Sequence, residues 1–516
     1  MPVASRACQD CNGEILRGAR RGSGNASGSS GDHRGRDPLG AHTAGGRKRV
    51  MKDEYDAVVV GAGIGGVICG AYLASGGLDT LVIEKADRVG GRMKLDKTSP
   101  GFTGFEHWVT FGQGWGGGAW YKAARELDAD VSFYEIPEPC LYYRGTGKGF
   151  EIAPRCSSAS SLLSYYESLF PTPLPEATRQ EFIRALNYAG SIPYEELFCE
   201  PLANIPFYDW KDKLSTDPVV VGFFASIAAN STMCESDEAM KHLSAGGLLS
   251  IFRFWWMTEA HCVAFKPDYV EGLVRPFATA MERDGGELAL GCEVVEVIVE
   301  DGESRGVRVR DEGGVVREVG AQKVIVNGSF LDIPKMFQEV PPEVQVSVDS
   351  FRSVAFHDFT VYAEMKHPIT EEPHPVSVVD PETGSNLLMI WALSNAFSWY
   401  APPGKQLIFA SRVLPIDEEE RKKVRKTLKV EMDEIIEEVF PGYGAAVEKK
   451  HYSSHYPLWH YQHTWYPKIP YRSKSVKNLF FVGDCVEPQY SVTVDAAAST
   501  GVFCGKAILR LEGREV

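Results

Sequence analysis

The longest apolar stretch of the chain, Ala57 to Leu78, carries no charged residue, and its internal pattern decides what it becomes. "DAVVVGAG" is a continuous apolar, β-branched run, the pattern of a strand buried on both faces. "IGGVICGAYLASGG" follows as a small-residue helix, and "DTLVIEK" reads as a second buried strand. A membrane-crossing helix would be rich in Leu, Ile and Phe. Gly61, Gly63, Gly65, Gly66, Gly70, Gly76 and Gly77 weaken any single helix through this run. The pattern therefore predicts a βαβ unit. Later, "ELALGCEVVEVIVEDGESRGVRVRDEGGVVREVGAQKVIVNG" predicts strands separated by glycine-containing turns. "DEEERKKVRKTLKVEMDEIIEEVF" predicts an amphipathic helix with Val424, Leu428, Met432, Ile435 and Val439 on one stripe. The last elements are a strand, "NLFFVGD", and a helix, "AAASTGVFCGKAILRL".

Residues 1–50 break this alternation. They are rich in Gly, Ser and Arg and nearly empty of large apolar side chains, so the expectation is a disordered tail. No apolar segment follows the arginines, which argues against a secretory signal, and the plainer reading makes Met51 the physiological start. Across 516 residues the chain has 54 basic and 69 acidic side chains, a net charge of −15. That balance argues against nucleic acid and against a polybasic grip on lipid. Eleven scattered cysteines read as reduced thiols rather than a disulfide framework, and the lone close pair "CQDC" lies in the tail. The expected compartment is the cytoplasm, with any membrane contact peripheral.

The βαβ unit carries the first chemistry. Gly61-x-Gly63-x-x-Gly66 follows a strand and opens a helix, with Gly65 inside the turn, and Glu84 ends the next strand. This is the context of a dinucleotide site. Gly61 permits the tight turn, Gly63 lets backbone approach a pyrophosphate, and Gly66 lets helix pack on strand. The helix N-terminus offers free N–H groups to phosphates, and Glu84, with Lys85 beside it, faces the adenosine ribose.

The residues after Glu84 narrow the dinucleotide. "EKADRVGGRMK" adds a second glycine turn, Gly90-Gly91, and a cation, Arg92. Here the sequence resembles the flavoprotein amine oxidase and phytoene desaturase superfamily, in which a GGR turn follows the ribose acid. "PDYVEGLVRPFATAMERDGG", "GCEVVEVIVEDGESRGVRV" with "AQKVIVNG", and "NLFFVGDCVEPQYSVTVDAAASTGVFCGKAIL" resemble that family's central and C-terminal flavin blocks. The resemblance covers about a third of the chain in the family's order. It implies an α/β fold with a Rossmann-type, discontinuous FAD-binding domain and an inserted α+β substrate domain. It implies FAD as cofactor, the Val295 backbone at the adenine, Gly483 and Asp484 at the phosphate and ribityl region, and the Val494 N–H at the pyrimidine edge. The helix starting near Asp495 would then direct its positive end at the flavin, favouring the reduced form.

The implied division is a tail at 1–50, FAD-binding parts at 51–140, 269–330 and 475–516, and substrate parts at 141–268 and 331–474. The substrate parts are aromatic-rich, and Trp459, Tyr461, Trp465 and Tyr466 are expected to wall the cavity. His107, in "GFEHWVTFGQG", is the candidate general base; its alternative role is a structural hydrogen bond. His107, His451, His455, His460 and His463 lack metal-ligand spacing, so no metal is expected. The chemistry implied is hydride transfer from a hydrophobic small molecule to the flavin, with oxygen or a quinone as the terminal acceptor. Asp484 stands where amine oxidases carry Glu, which favours carbon–carbon desaturation or a related saturation or isomerisation. The alternatives are CH–NH oxidation and a non-catalytic lipid or prenyl carrier. Ala496-Ala497 and Thr500-Gly501 depart from the family's Gly-Ala and Ser-Gly and leave the substrate open.

Overall fold

The apolar run Ala57–Leu78 breaks where its glycines begin. Glu54–Val60 is a strand, Ile64–Ser75 a helix, and Thr80–Ile83 a second strand parallel to the first, with Val58 beside Leu81 and Val60 beside Ile83. No helix among the described residues is long and apolar enough to cross a membrane. The computed structural model describes residues 51–93, 98–103, 118–136, 141–144, 150–152, 158–168, 170, 172–232, 236–253, 262–352, 357–373, 375–379, 386–414, 418–455, 464–487 and 493–514. The tail expected at 1–50 lies outside them. The chain divides into Met1–Glu54 and Tyr55–Val516. Apart from the first residue of strand Glu54–Val60, both large sheets and the helices around them belong to the second unit.

Three distant parts of the sequence share the first sheet. Glu287–Ala289 adds in parallel to Thr80–Ile83 on one side. On the other side, Glu54–Val60 is followed by Val316–Asn327, which pairs antiparallel with Glu303–Arg310 and in parallel with Leu479–Val482. Glu293–Glu300 closes the edge as the partner of Glu303–Arg310. Helix Ile64–Ser75 is buried from Ile64 through Ala74, as expected of a helix apolar on every face. Its small residues admit a close neighbour, the C-terminal helix Thr493–Leu511. A methyl on Gly501 would stand 2.4 Å from the Gly65 carbonyl oxygen, and one on Gly505 would stand 2.8 Å from Tyr72 Cβ.

A second sheet runs Val447–His455, His357–Met365, Gln406–Leu414, Asn386–Ala392, Val376–Val379, Leu141–Arg144, Phe150–Ile152. The charged helix Glu418–Val439 packs in this sheet's core through Leu428, Met432, Ile436 and Val439. The predicted stripe is thus shifted. Val424 is exposed and Ile435 only flanks the core, because burial begins in this helix at Leu428. Residues 159–252 form a helical layer whose core is aromatic. Phe182 stacks on Tyr166 at 5.2 Å and meets Phe223 edge-on at 5.1 Å, with Phe224 and Phe252 beyond.

Candidate functional site

The glycine turn between strand and helix is held by Glu84 from the same βαβ unit and by Asn327, 266 positions from Gly61. Gly61 has φ +95°, a conformation that glycine adopts without strain. The peptide that follows it is fixed at both ends. The Ala62 N–H donates to Glu84 Oε2 at 2.8 Å, and the Gly61 carbonyl accepts from Asn327 Nδ2 at 3.1 Å. Glu84 is buried, and its other oxygen accepts the Ala86 N–H at 2.9 Å. A side chain has no room here. A methyl on Gly61 would stand 2.2 Å from the Asn327 carbonyl oxygen, and one on Gly66 would stand 2.2 Å from the Gly61 carbonyl oxygen.

Helix Ile64–Ser75 begins at Gly63 with no side-chain cap and no acidic residue in its first turn. Its leading N–H groups are therefore left to an anion, and the positive end of the helix adds to the attraction. The second glycine turn packs on the first. The Gly90 N–H donates to the Ala62 carbonyl at 2.8 Å, and a methyl on Gly91 would approach Gly63 Cα to 3.2 Å. Arg92 pairs with Asp484 at 2.5 Å, so the two glycine-bearing ends of the polypeptide meet. The Gly483 N–H donates to Thr500 Oγ1 at 2.9 Å, which ties that strand end to the C-terminal helix. Val494 and Asp495 lie buried in the first turn of that helix, and Asp495 Oδ1 accepts the Trp120 N–H at 3.0 Å.

Val295 stands beside this cradle in an unusual way. On strand Glu293–Glu300, Val294 pairs with Val309 and Glu296 with Arg308, so Val295 is bulged out of register. Its peptide groups are released from the ladder. The same region joins Glu84 through the backbone, with the Cys292 N–H on the Glu84 carbonyl at 2.9 Å. Lys85 is exposed next to it.

The cradle fits a flavin dinucleotide. It offers uncapped helix N–H groups, a cation at Arg92, an acid at Glu84 and freed backbone at Val295. Gly61, Gly63, Gly65, Gly66, Gly90, Gly91, Gly483 and Val494 would surround the same cofactor.

The residues expected to wall a cavity are only partly described. His107, Trp459 and Tyr461 lie outside the described residues. Trp465 and Tyr466 stack on each other at 4.5 Å and are anchored to the helical layer, Trp465 Nε1 donating to the Lys241 carbonyl at 2.9 Å and Tyr466 Oη bonding His242 Nδ1 at 3.0 Å. Tyr194 is half-buried against the same layer, its ring under the Arg253 guanidinium at 5.6 Å. Burial, and then the charge of Asp495, pushes its phenol well above the usual range, with Arg253 opposing. Burial pulls the Lys122 ammonium down, against the attraction of Asp495 and Glu126.

Two organising residues escape a reading of the sequence. Asn327 sits in "VIVNG", which reads as any strand end, and Thr500 in "AAASTG", which reads as helix interior. Each acts on backbone just past the end of another element, Gly61 after strand Glu54–Val60 and Gly483 after strand Leu479–Val482, and nothing local marks that.

The family model of flavin containing amine oxidoreductases matches residues 64–509. A 15-cis-phytoene desaturase from Synechococcus elongatus is 21% identical over 477 residues, covering 87% of this chain and 95% of that protein. Pyridine nucleotide-disulfide oxidoreductase domain-containing protein 2 of Rattus norvegicus is 38% identical over 65 residues, 13% of this chain and only 11% of that protein. In fold, the chain is similar to the crystal structure of an oxidoreductase from Methanosarcina mazei, with a TM-score of 0.62 at 18% identity over 87% of this chain and 99% of that one. The chain belongs to the flavin containing amine oxidoreductase family and is an FAD-dependent oxidoreductase.

Proposed function

We propose that this protein acts on a carbon–carbon bond of a hydrophobic small molecule, removing hydrogen in a desaturation, with the reverse saturation or a redox-neutral isomerisation as the closely related variants. The observation that carries this reading is the likeness to a phytoene desaturase, which extends over nearly the whole of both chains rather than the dinucleotide motif alone. Asp484, in place of the Glu common among amine oxidases, supports the same branch.

Removing hydrogens from adjacent carbons needs an acceptor for a hydride equivalent, which bound FAD supplies, and an exit for a proton. The chain's own contribution is position and dryness. Val494 and the first turn of helix Thr493–Leu511 would orient the pyrimidine edge, and the Arg92–Asp484 pair would fix the ribityl-phosphate arm. The aromatic helical layer, with Trp465 and Tyr466 at its edge, would exclude water from the reacting carbon. His107 is the proposed base. The electrons would pass on to oxygen or a quinone, and membrane contact would be peripheral.

Anaerobic mixing of the purified holoprotein with a panel of polyenes, cyclic enones and amines tests the proposal through loss of oxidised-flavin absorbance. Bleaching by polyenes or enones and not by amines is expected. Bleaching by amines alone would replace this reading with oxidation of a CH–NH bond. A protein purified colourless and unable to take up FAD would replace it with a lipid or prenyl carrier.

A further inference from the structure

The turn that meets the diphosphate is shaped by a side chain no motif contains. Asn327 ends strand Val316–Asn327, in register with Val482, the residue before Gly483. Its carboxamide occupies the centre of the cradle. Nδ2 lies 2.9 Å from where a methyl on Gly63 would sit and 2.8 Å from one on Gly66, while Oδ1 lies 3.4 Å from one on Gly65 and 3.4 Å from one on Gly483. The four glycines thus pack around one amide.

A carbonyl accepts only from a donor, so the contact with Gly61 O identifies Nδ2. That bond uses one of two amide protons. The second proton and Oδ1 have no hydrogen-bond partner among the described residues, and the side chain is only half-buried. Meanwhile Glu84 holds the N–H end of the same peptide through Ala62. The Ala62 N–H is thereby withdrawn from ligand duty, leaving the uncapped N–H groups of the helix's first turn.

We propose that Asn327 is a positioning residue for the cofactor diphosphate. It fixes the Gly61–Ala62 peptide from the carbonyl side, as Glu84 does from the N–H side, and offers its second amide proton to a phosphate oxygen at the mouth of the turn. The role holds whichever substrate the enzyme oxidises, so it stands or falls separately from the desaturation reading.

The test uses the full chain stripped of flavin and titrated with FAD, and separately with ADP, which carries the diphosphate without the flavin. Asn327→Ala should weaken both by the same factor, about tenfold, the loss expected for a hydrogen bond to a charged group. Asn327→Asp keeps the shape but removes both donors and places an anion beside the phosphates; its loss should reach about a hundredfold at neutral pH. A protonated Asp donates again. Relative to wild type, in which Glu84, Arg92 and Asp484 are unchanged, the Asp variant should regain affinity as pH falls through the titration of the new carboxyl, and the Ala variant should stay flat. Asn327→Ser, which retains a donor, should fall between wild type and Ala, and it replaces the Asp arm if that variant does not fold by circular dichroism. Wild-type FAD affinity in Asn327→Ala, a loss confined to FAD and absent with ADP, or an Asp variant with no pH-dependent recovery would each overturn the proposal.

Discussion

In the cradle, the groups that matter are peptide N–H and C=O groups, and side chains serve to hold them; in the helical layer of residues 159–252, side chains meet side chains. Glu84, Asn327 and Thr500 all bind backbone, whereas Phe182, Tyr166, Phe223 and Phe252 bind one another. The first arrangement tolerates almost no substitution, because a peptide plane has one place to be. The second asks only for apolar volume in a workable shape, which many sequences supply. The cradle is therefore written in residue identities, and the helical layer is written in packing.

The largest expected effect strikes the cradle. Gly66→Ala adds a methyl 2.2 Å from the Gly61 carbonyl oxygen and 2.8 Å from Asn327 Nδ2. Alanine ordinarily favours a helix over glycine by about 1 kcal/mol, so propensity works against any loss. We expect the variant to fold by circular dichroism and to retain less than about a tenth of the wild-type flavin per protein, since overpacking against backbone has no cheap relief. A full complement of flavin would mean that the turn opens to accommodate the methyl and that the fixed peptide plane is not what the site requires.

A smaller effect is expected in the helical layer, and of a different kind. Phe182 is fully buried. Phe182→Ala should cost about 3–5 kcal/mol of stability in denaturant titration. The FAD affinity of the folded fraction should stay within about twofold of wild type, because distant sites with no shared partner act independently. A tenfold loss of FAD affinity would show that the two regions are coupled and that the contrast between them is false.

The same contrast explains what was legible in the sequence. The turn at Gly61, Gly63 and Gly66 and the acid at Glu84 could be placed from spacing because they lie within one βαβ unit, where neighbours in sequence are neighbours in space. Asn327 could not, since its partner Gly61 is 266 positions away and a strand may end in any polar residue. The strands around Val295 were legible, but the bulge was not, because register is set by pairing with Glu303–Arg310 rather than by Val295 itself. Helix Glu418–Val439 was correctly expected from its period, yet the stripe included Val424, which is exposed: period shows which residues share a face, not where the neighbouring sheet stops covering it. Trp465 and Tyr466 were legible as aromatic and nothing more. Their attachment to Lys241 and His242 depends on contacts more than two hundred residues apart.

The smallest expected effect lies where the two regions join. The segment from Thr464 to Pro470 bridges to Leu243 of the helical layer at one end and pairs Ile469 with Val486, just past Asp484, at the other. Lys468 within it donates to the Thr464 carbonyl at 2.9 Å. It retains some accessible area yet is enclosed by protein, and burial pushes its ammonium down to about 8 from the ordinary 10.5, with Glu487 opposing. A lysine whose folded value is depressed binds fewer protons folded than unfolded. Its penalty is therefore complete below pH 8 and fades as pH rises from about 8 towards 10.5. Lys468→Met removes the charge and keeps the length. At pH 7 the variant should be more stable by about 1–2 kcal/mol once solvent screening is allowed for, and the wild-type gain on raising pH through that window should flatten. Lower stability at pH 7 would mean that the ammonium gains more from its surroundings than burial costs it, and that the junction is organised by polar contacts to backbone, as the cradle is, rather than by apolar fill.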